Sequence, residues 1–234
     1  MAASQSGQSA SVGELFGVSS ARVEAAELLR RLGNAFVSQE LGDAEFELMS
    51  RTLSTVLEQV ESCRPRDRSA TMSLENLKDR ETFRSKSADS EVLSQIPDCV
   101  VSGAANPMGF GVDVRREGDQ AVSEVALGPA FEGPPGRVHG GVVAAIFDDL
   151  MVHQLSIIGE PAFTGRIEVT YRAPTPLGIP LEFRARLERR EGRKLYMAAT
   201  ACRSDDDVLV AESTATFIVI PLDGFSSKTN EEAE

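Results

Sequence analysis

One stretch limits the possible folds of this chain more than any other, RVHGGVVAAIFDDLMVHQL at residues 137–155. From Val142 to Ile158 the chain is apolar on nearly every side of a helix, and no proline interrupts it. Such a helix has to be covered on all sides by the rest of the protein. The stretch also holds two adjacent carboxylates, Asp148 and Asp149. A buried carboxylate is costly unless it is paired, hydrogen-bonded or used in chemistry.

Segments with the pattern of β-strands lie on both sides of this helix in the chain. FGVDVRRE and QAVSEVALG alternate apolar and polar residues around a turn at 117–119, which predicts a hairpin. Four more such segments follow the helix: 164–172, 181–190, 194–203 and 208–220. The short connections between them favour antiparallel pairing. The sequence therefore predicts an α+β fold, with a long central helix wrapped by a curved antiparallel sheet of about five to six strands.

The chain divides into an N-terminal extension (1–97), a domain (98–222) and an acidic tail (223–234) that we expect to be disordered. In the extension, the sequence predicts a disordered start to about residue 18, helices over 21–40 and 43–63, and a polar linker or loosely attached arm over 64–90. We expect a break in the first helix near Gly33 and Asn34, and Asp43 as the N-cap of the second. Apolar side chains on both helices predict packing, either as a cap on the domain or within a contact between copies.

Composition excludes several classes of function. A net charge of −12 argues against a nucleic-acid partner, and we expect no membrane span because no apolar run reaches roughly 18 residues. The first 17 residues lack the features of a signal peptide, so we expect a cytoplasmic protein. The chain has only two histidines, His139 and His153, and three scattered cysteines, so we expect no metal site, no disulfide and no cofactor.

The residues around the helix start suggest acyl transfer to water. Amides in the first turn of a helix have no intrahelical acceptor, so free amides at Gly140 and Gly141 could stabilise an oxyanion. Asp148 lies about two turns further on and could act as a general base on water or attack directly. A thioester suits so small a set of groups, because its thiolate leaves without obligatory protonation.

The segment from NPMGFGVDVRREG through EGPPGRVHGGVVAAIFDDLM, together with YRAPTPL, EGRK and AESTATFIV, resembles the PaaI-like acyl-CoA thioesterases of the hotdog superfamily. The similarity runs from about Asn106 to Ile220. It implies a hotdog fold and dimers, or dimers of dimers, with active sites shared at the interface. It also implies Asp148 as the catalytic acid, Gly140 as the oxyanion donor, His139 as the loop histidine and Thr164 as an assisting hydroxyl.

For the remaining residues the sequence leaves alternatives. Arg172, Arg193 and Lys194 lie at strand ends or turns and are candidates for the phosphates of coenzyme A; the last two could equally be an ordinary solvated turn. We expect His139 to fix its loop with some substrate contact, and Asp149 and His153 to have structural roles.

Two other functions stay open at this point. One is an acyl-CoA sensor without catalysis on the same fold. The other is hydration of enoyl thioesters, although the sequence shows no aspartate–histidine pair of that kind around Asp148.

Overall fold

The computed structural model describes residues 18–67, 83–85, 87–93 and 96–220. The disorder predicted for residues 1–17 and for the acidic tail at 223–234 therefore concerns residues outside the described ones. The described chain contains three long helices and six strands. The helices are α1 (Ser20–Ser38), α2 (Asp43–Glu61) and α3 (Gly140–Ile158). The strands are β1 (Val114–Glu117), β2 (Gln120–Ala126), β3 (Ala162–Tyr171), β4 (Pro180–Glu191), β5 (Lys194–Arg203) and β6 (Leu209–Val219).

The strands form a single antiparallel sheet in the order β1-β2-β4-β5-β6-β3. The hairpin and the four later strands predicted from the sequence are confirmed, and with them the α+β fold. β1 is shorter than predicted and begins at Val114 rather than Phe110. Gly111 has a φ of +71°, which an extended strand does not accommodate. The amide of Phe110 donates to the carbonyl of Val101 instead. The edge strands of the sheet are β1 and β3.

α3 packs against one face of this sheet and forms the centre of the core. The ring of Phe147 meets that of Phe183 on β4 edge to face, with centroids 5.3 Å apart, and both side chains are fully buried. Gly159 ends the helix in the left-handed conformation, with a φ of +71°. On another side of the helix, Ser102 lies 3.2 Å from the ring of His153. The sheet and the segment around Ser102 therefore cover α3 from different sides.

One face of α3 contradicts the expectation of cover on every side. Gly141, Ala145, Asp148 and Val152 follow one another at helical spacing, and all four stay at least partly exposed in the single chain. In the described part of the chain, α3 is the one helix whose length and hydropathy would suit a membrane crossing, but half of that stretch is buried inside the fold. Its burial identifies it as a core helix.

The N-terminal extension contains the two predicted helices, with different details at two points. α1 continues without a break through Gly33, since one glycine within a helix costs only about 1 kcal/mol. Gly42, not Asp43, caps α2, and its amide donates to the carboxylate of Glu45 at 3.0 Å. Asp43 is the first residue inside the helix, where a negative charge favours the positive end of the helix dipole.

Arginine side chains attach α1 to the segment that leads into the domain. Arg30 donates to the carbonyls of Ala104 and Asn106, at 3.1 and 2.8 Å. Arg22 and Arg66 both pair with Asp98. Burial alone would raise the pKa of Asp98, but hydrogen bonds from the two guanidinium groups outweigh it and hold the pKa below its usual value.

The linker predicted over 64–90 is only partly described, and its last part is not loosely attached. Arg84 donates to the carbonyl of Ile158 at the end of α3, and the amide of Ser85 bonds the carbonyl of Ser156. Phe83 packs on the core. The polar composition concealed this docking, because one guanidinium group, one backbone amide and one aromatic ring provide it.

We expect Asp98→Asn to release α1 from the domain, because two guanidinium groups lose their shared anion. Hydrogen exchange of α1 amides at neutral pH should rise about tenfold or more. A carboxylate with a lowered folded-state pKa stabilises above its unfolded value of about 3.9 and loses that effect as the pH falls towards the folded value. Protection of α1 in the wild type should therefore decline below about pH 4.

Glu24→Gln, which removes an exposed carboxylate from the same helix, is the matched control and should exchange like the wild type. Equal protection of α1 in Asp98→Asn and the wild type across this pH range would contradict the role given to Asp98.

Candidate functional site

The loop before α3 is held by its own backbone and delivers His139 to the helix start. The amide of His139 donates to the carbonyl of Phe131 at 2.9 Å, and the amide of Val138 donates to that of Thr175 at 3.0 Å. Gly136 turns the chain with a φ of +73°, a conformation that favours glycine. The position of the helix start is therefore fixed before any ligand binds.

His139 caps α3 with its ring. Its Nδ1 accepts a hydrogen bond of 2.9 Å from the amide of Gly141. The prediction of two free amides is therefore wrong for Gly141, whose N–H is already used. The structure records no acceptor for the amide of Gly140 among the described residues. The N–H of Gly140 is thus available in this turn to bind a ligand. The His139 ring, in turn, fixes the loop.

Tyr171 is the residue at this site that the sequence reasoning missed. Its hydroxyl donates to the carbonyl of Gly140 at 2.6 Å. Burial raises the pKa of this phenol, so it stays protonated and able to donate. A Cβ at position 140 would lie 3.0 Å from the Tyr171 oxygen. The sequence offered only a tyrosine at the end of a predicted strand and, 31 residues earlier, a glycine-rich helix start. The fold is what brings the two together.

Asp148 accepts a hydrogen bond from Thr164. The hydroxyl of Thr164 on β3 lies 2.8 Å from Oδ1 of Asp148. The register of β3 against β6 shifts between Thr164 and Arg166, so Gly165 forms a bulge, a distortion that redirects neighbouring side chains. Asp148 is half-exposed and forms no ion pair with the described residues. The threonine and the acid expected to act together are therefore in direct contact.

Gly140 and Asp148 stay apart within one chain. They are separated by eight residues of continuous helix, which corresponds to about 12 Å along the axis at 1.5 Å per residue. A single carbonyl group cannot contact the amide of one and the carboxylate of the other from the same copy. The exposed stripe of α3 that carries Asp148 leaves room for a second copy.

The three basic residues named as candidates for the phosphates do not all lie at one place. The amide of Arg172 donates to the carbonyl of Val210 on β6, whereas the carbonyl of Arg193 accepts from the amide of Val219 on the same strand. About 30 Å of strand therefore separates the two arginines. The guanidinium of Arg172 pairs with Glu212. The side chain of Arg193 donates to the carbonyl of Val219 at 3.1 Å. Lys194 is exposed and lies next to Arg193.

Asp149 belongs to a separate polar cluster on another side of α3. Its Oδ1 accepts a hydrogen bond of 3.0 Å from the thiol of Cys99, and its Oδ2 lies 3.6 Å from the ring of His153. Burial would raise the pKa of Asp149, but His153, Cys99 and Ser102 outweigh it and lower the pKa. The contacts support the structural roles expected for Asp149 and His153. No group of residues in the described ranges is arranged to hold a metal ion.

Comparisons with known proteins agree with this arrangement. The thioesterase superfamily model matches residues 135–217, which include α3, β3 to β5 and most of β6. Acyl-coenzyme A thioesterase THEM4 of Xenopus laevis is 35% identical over 91 residues, 39% of this chain and 41% of that protein. Its counterpart in Mus musculus is 36% identical over 99 residues, 42% of this chain and 43% of that protein. The chain thus spans about two fifths of the length of these two relatives.

A solved structure extends the similarity beyond the domain. Protein RHA08564, a thioesterase superfamily protein, superposes with a TM-score of 0.70 at 24% identity, covering 85% of this chain and 91% of that one. A likeness at this identity is evidence for the fold. The six-stranded sheet around the central helix and the superposition with RHA08564 show that the chain has the hotdog fold, and within it residues 135–217 are similar to the thioesterase superfamily.

Proposed function

We propose that this protein hydrolyses acyl-CoA thioesters to a free acid and coenzyme A. The observation that carries the proposal is the pair of fixed groups on α3, the Gly140 amide at its start and the Asp148 carboxylate held by Thr164. The curated relatives named acyl-coenzyme A thioesterases support this substrate class. No metal or cofactor takes part in the proposed reaction.

In the proposed reaction, a water molecule attacks the carbonyl carbon of the thioester. Oδ1 of Asp148 is engaged by Thr164, which leaves Oδ2 to accept the proton of the water. The carbonyl oxygen becomes an oxyanion that accepts a hydrogen bond from the Gly140 amide at the positive end of the helix. The C–S bond then breaks and coenzyme A leaves as the thiolate. Direct attack by Asp148, with water opening the resulting anhydride, gives the same products.

The active site requires two copies of the chain in this proposal. The separation of Gly140 from Asp148 by about 12 Å of helix supports sites in which one copy supplies the amide and the other the acid. Strand β3 is an edge strand with an unpaired side, and Phe163 and Tyr171 on it are each 49% exposed. An exposed edge of this length favours pairing with a second copy. We propose a homodimer, or a dimer of dimers, joined at β3.

The phosphates of coenzyme A need cationic partners in a chain with a net charge of −12. We propose Arg193 and Lys194 for this role, because they are adjacent in the chain and Lys194 is exposed. Arg172 is a weaker candidate within one chain because Glu212 neutralises it. We also propose a cytoplasmic location, which the three free thiols support, since such thiols persist in reducing compartments.

The main test measures the hydrolysis of a panel of acyl-CoAs through the loss of the thioester absorbance. Asp148→Asn should lower kcat by about 100- to 10,000-fold on every substrate that the wild type accepts, because the base or nucleophile is lost. The adjacent change Asp149→Asn is the matched control. It should lower the melting temperature, because it disturbs the Cys99–His153 cluster, while kcat stays within a few fold of the wild type.

Activity of Asp148→Asn equal to that of the wild type would exclude the proposed chemistry. Tight binding of acyl-CoA without turnover by the wild type would instead support a sensor.

The role of the Gly140 amide can be tested by removing a single N–H. Proline is tolerated at the first position of a helix, and the ψ of 130° at His139 suits a residue that precedes proline. Gly140→Pro should therefore keep the helix start but lower kcat about 100- to 1,000-fold through loss of the oxyanion donor.

Gly140→Ala is the control for the added Cβ near Tyr171, because it retains the amide. We expect it to keep most of the activity. Equal losses in the proline and alanine variants would show that steric fit to Tyr171, and not the amide, determines the effect.

A further inference from the structure

The exposed apolar surface of this chain is concentrated on the N-terminal helices. Eighteen large apolar side chains are exposed among the described residues, and eleven of them lie on α1 and α2. Those on α1 are Leu28, Leu29, Leu32, Phe36 and Val37. Those on α2 are Phe46, Leu48, Leu53, Val56, Leu57 and Val60. The two helices account for a small share of the chain, so a concentration of this kind marks an interaction surface.

α2 carries its apolar residues in the pattern of a helix-to-helix seam. Phe46, Met49, Leu53, Val56 and Val60 alternate at spacings of three and four, which places them at the a and d positions of a heptad repeat. No residue of α2 is buried. In proteins most of the stability of a helix comes from tertiary packing of its apolar face. The pattern therefore indicates that a second helical element covers α2 in the assembled protein.

α1 does not provide that cover. The rings of Phe36 and Phe46 meet edge to face across the turn, with centroids 5.7 Å apart. Beyond that turn Leu29 on α1 and Leu57 on α2 remain 48% and 55% exposed, so the two apolar stripes do not shield each other. The bonds from Arg22 and Arg30 keep α1 on the domain. The helices present a preformed apolar surface.

The charges and the remaining sequence limit what could cover this surface. α2 carries five carboxylates against one guanidinium, and none of these charges lies at an a or d position. An anionic membrane or a nucleic acid is therefore disfavoured. Segments 1–17, 68–82 and 221–234 contain few large apolar residues and no heptad pattern. A seam of a and d residues is self-complementary across a two-fold axis.

We infer that α1 and α2 of one copy pack against the same two helices of a second copy. Eleven half-exposed side chains offer several hundred Å² of apolar area, of the order of the roughly 800 Å² per partner in a stable interface. The match to RHA08564 covers 85% of this chain, far more than residues 98–222 could supply, so the helical extension recurs with this fold. The contact is separate from β3 and does not depend on the proposed catalytic activity.

The test is site-specific photo-crosslinking within the full-length protein. A benzophenone amino acid replaces Leu53 on the seam or, as the matched control, Ser54 on the polar side. Chains labelled with ¹⁴N and ¹⁵N are mixed, allowed to exchange subunits and irradiated. Seam crosslinks should join peptides of different isotopic label, from position 53 to α1 or α2 of another copy. Crosslinks within one label only, or no more than in the Ser54 control, would overturn the inference.

A second measurement does not need the crosslinker. Leu53→Asp combined with Val60→Asp places two charges on the seam, whereas Ser54→Asp places one on the opposite side. Hydrogen exchange of α2 amides should be at least about tenfold faster in the seam variant than in the wild type. The Ser54→Asp variant should match the wild type. Rapid exchange of α2 in all three proteins would mean that no copy covers it, and would contradict the inference.

Discussion

The packing of α3 against the sheet is the interaction on which the rest of the structure depends. The helix is apolar around most of its circumference, so the sheet, the segment around Ser102 and the end of the linker at Arg84 all cover parts of it. The stripe that contains Asp148 stays partly open in the single chain. The polar group with a proposed chemical role therefore lies on the side of the core that the chain leaves uncovered.

β3 contacts both groups of this helix that have a proposed chemical role. Thr164 near its start bonds the carboxylate of Asp148, and Tyr171 at its end bonds the carbonyl of Gly140. The bulge at Gly165 lies next to Thr164 on β3, and the cap formed by His139 holds the helix start that carries Gly140. Because β3 is also an edge strand, a copy that paired with it would approach both contacts. This is why we propose that assembly and catalysis use the same strand.

Much of the fold could be predicted from local patterns. Alternation with period two located the strands, and the long apolar run located α3, because both signals come from burial on a known face. The separation of roles between Asp148 and Asp149 was also predictable, because adjacent residues on a helix point in different directions. The contact of Thr164 with Asp148 followed from the family resemblance.

Features that depend on the orientation of a side chain or on tertiary contacts were missed or wrong. The use of the Gly141 amide depends on the orientation of the His139 ring, which spacing does not specify. The bond from Tyr171 to Gly140 joins residues 31 positions apart. The docking of residues 83–85 uses the Arg84 guanidinium, the Ser85 amide and the Phe83 ring in a segment of polar composition. Arg172 and Arg193 both lie at strand ends, but the pairing of β3 and β5 with β6 places them at opposite ends of that strand.

The most direct measurement is complementation between two inactive chains, Asp148→Asn and Gly140→Pro, unfolded together and refolded as a mixture. If one copy supplies the acid and the other the amide, each mixed dimer contains one site with both groups intact. Random pairing should then restore about a quarter of the wild-type activity. Activity no higher than that of the two separate variants would show that no site draws its acid and its amide from different copies.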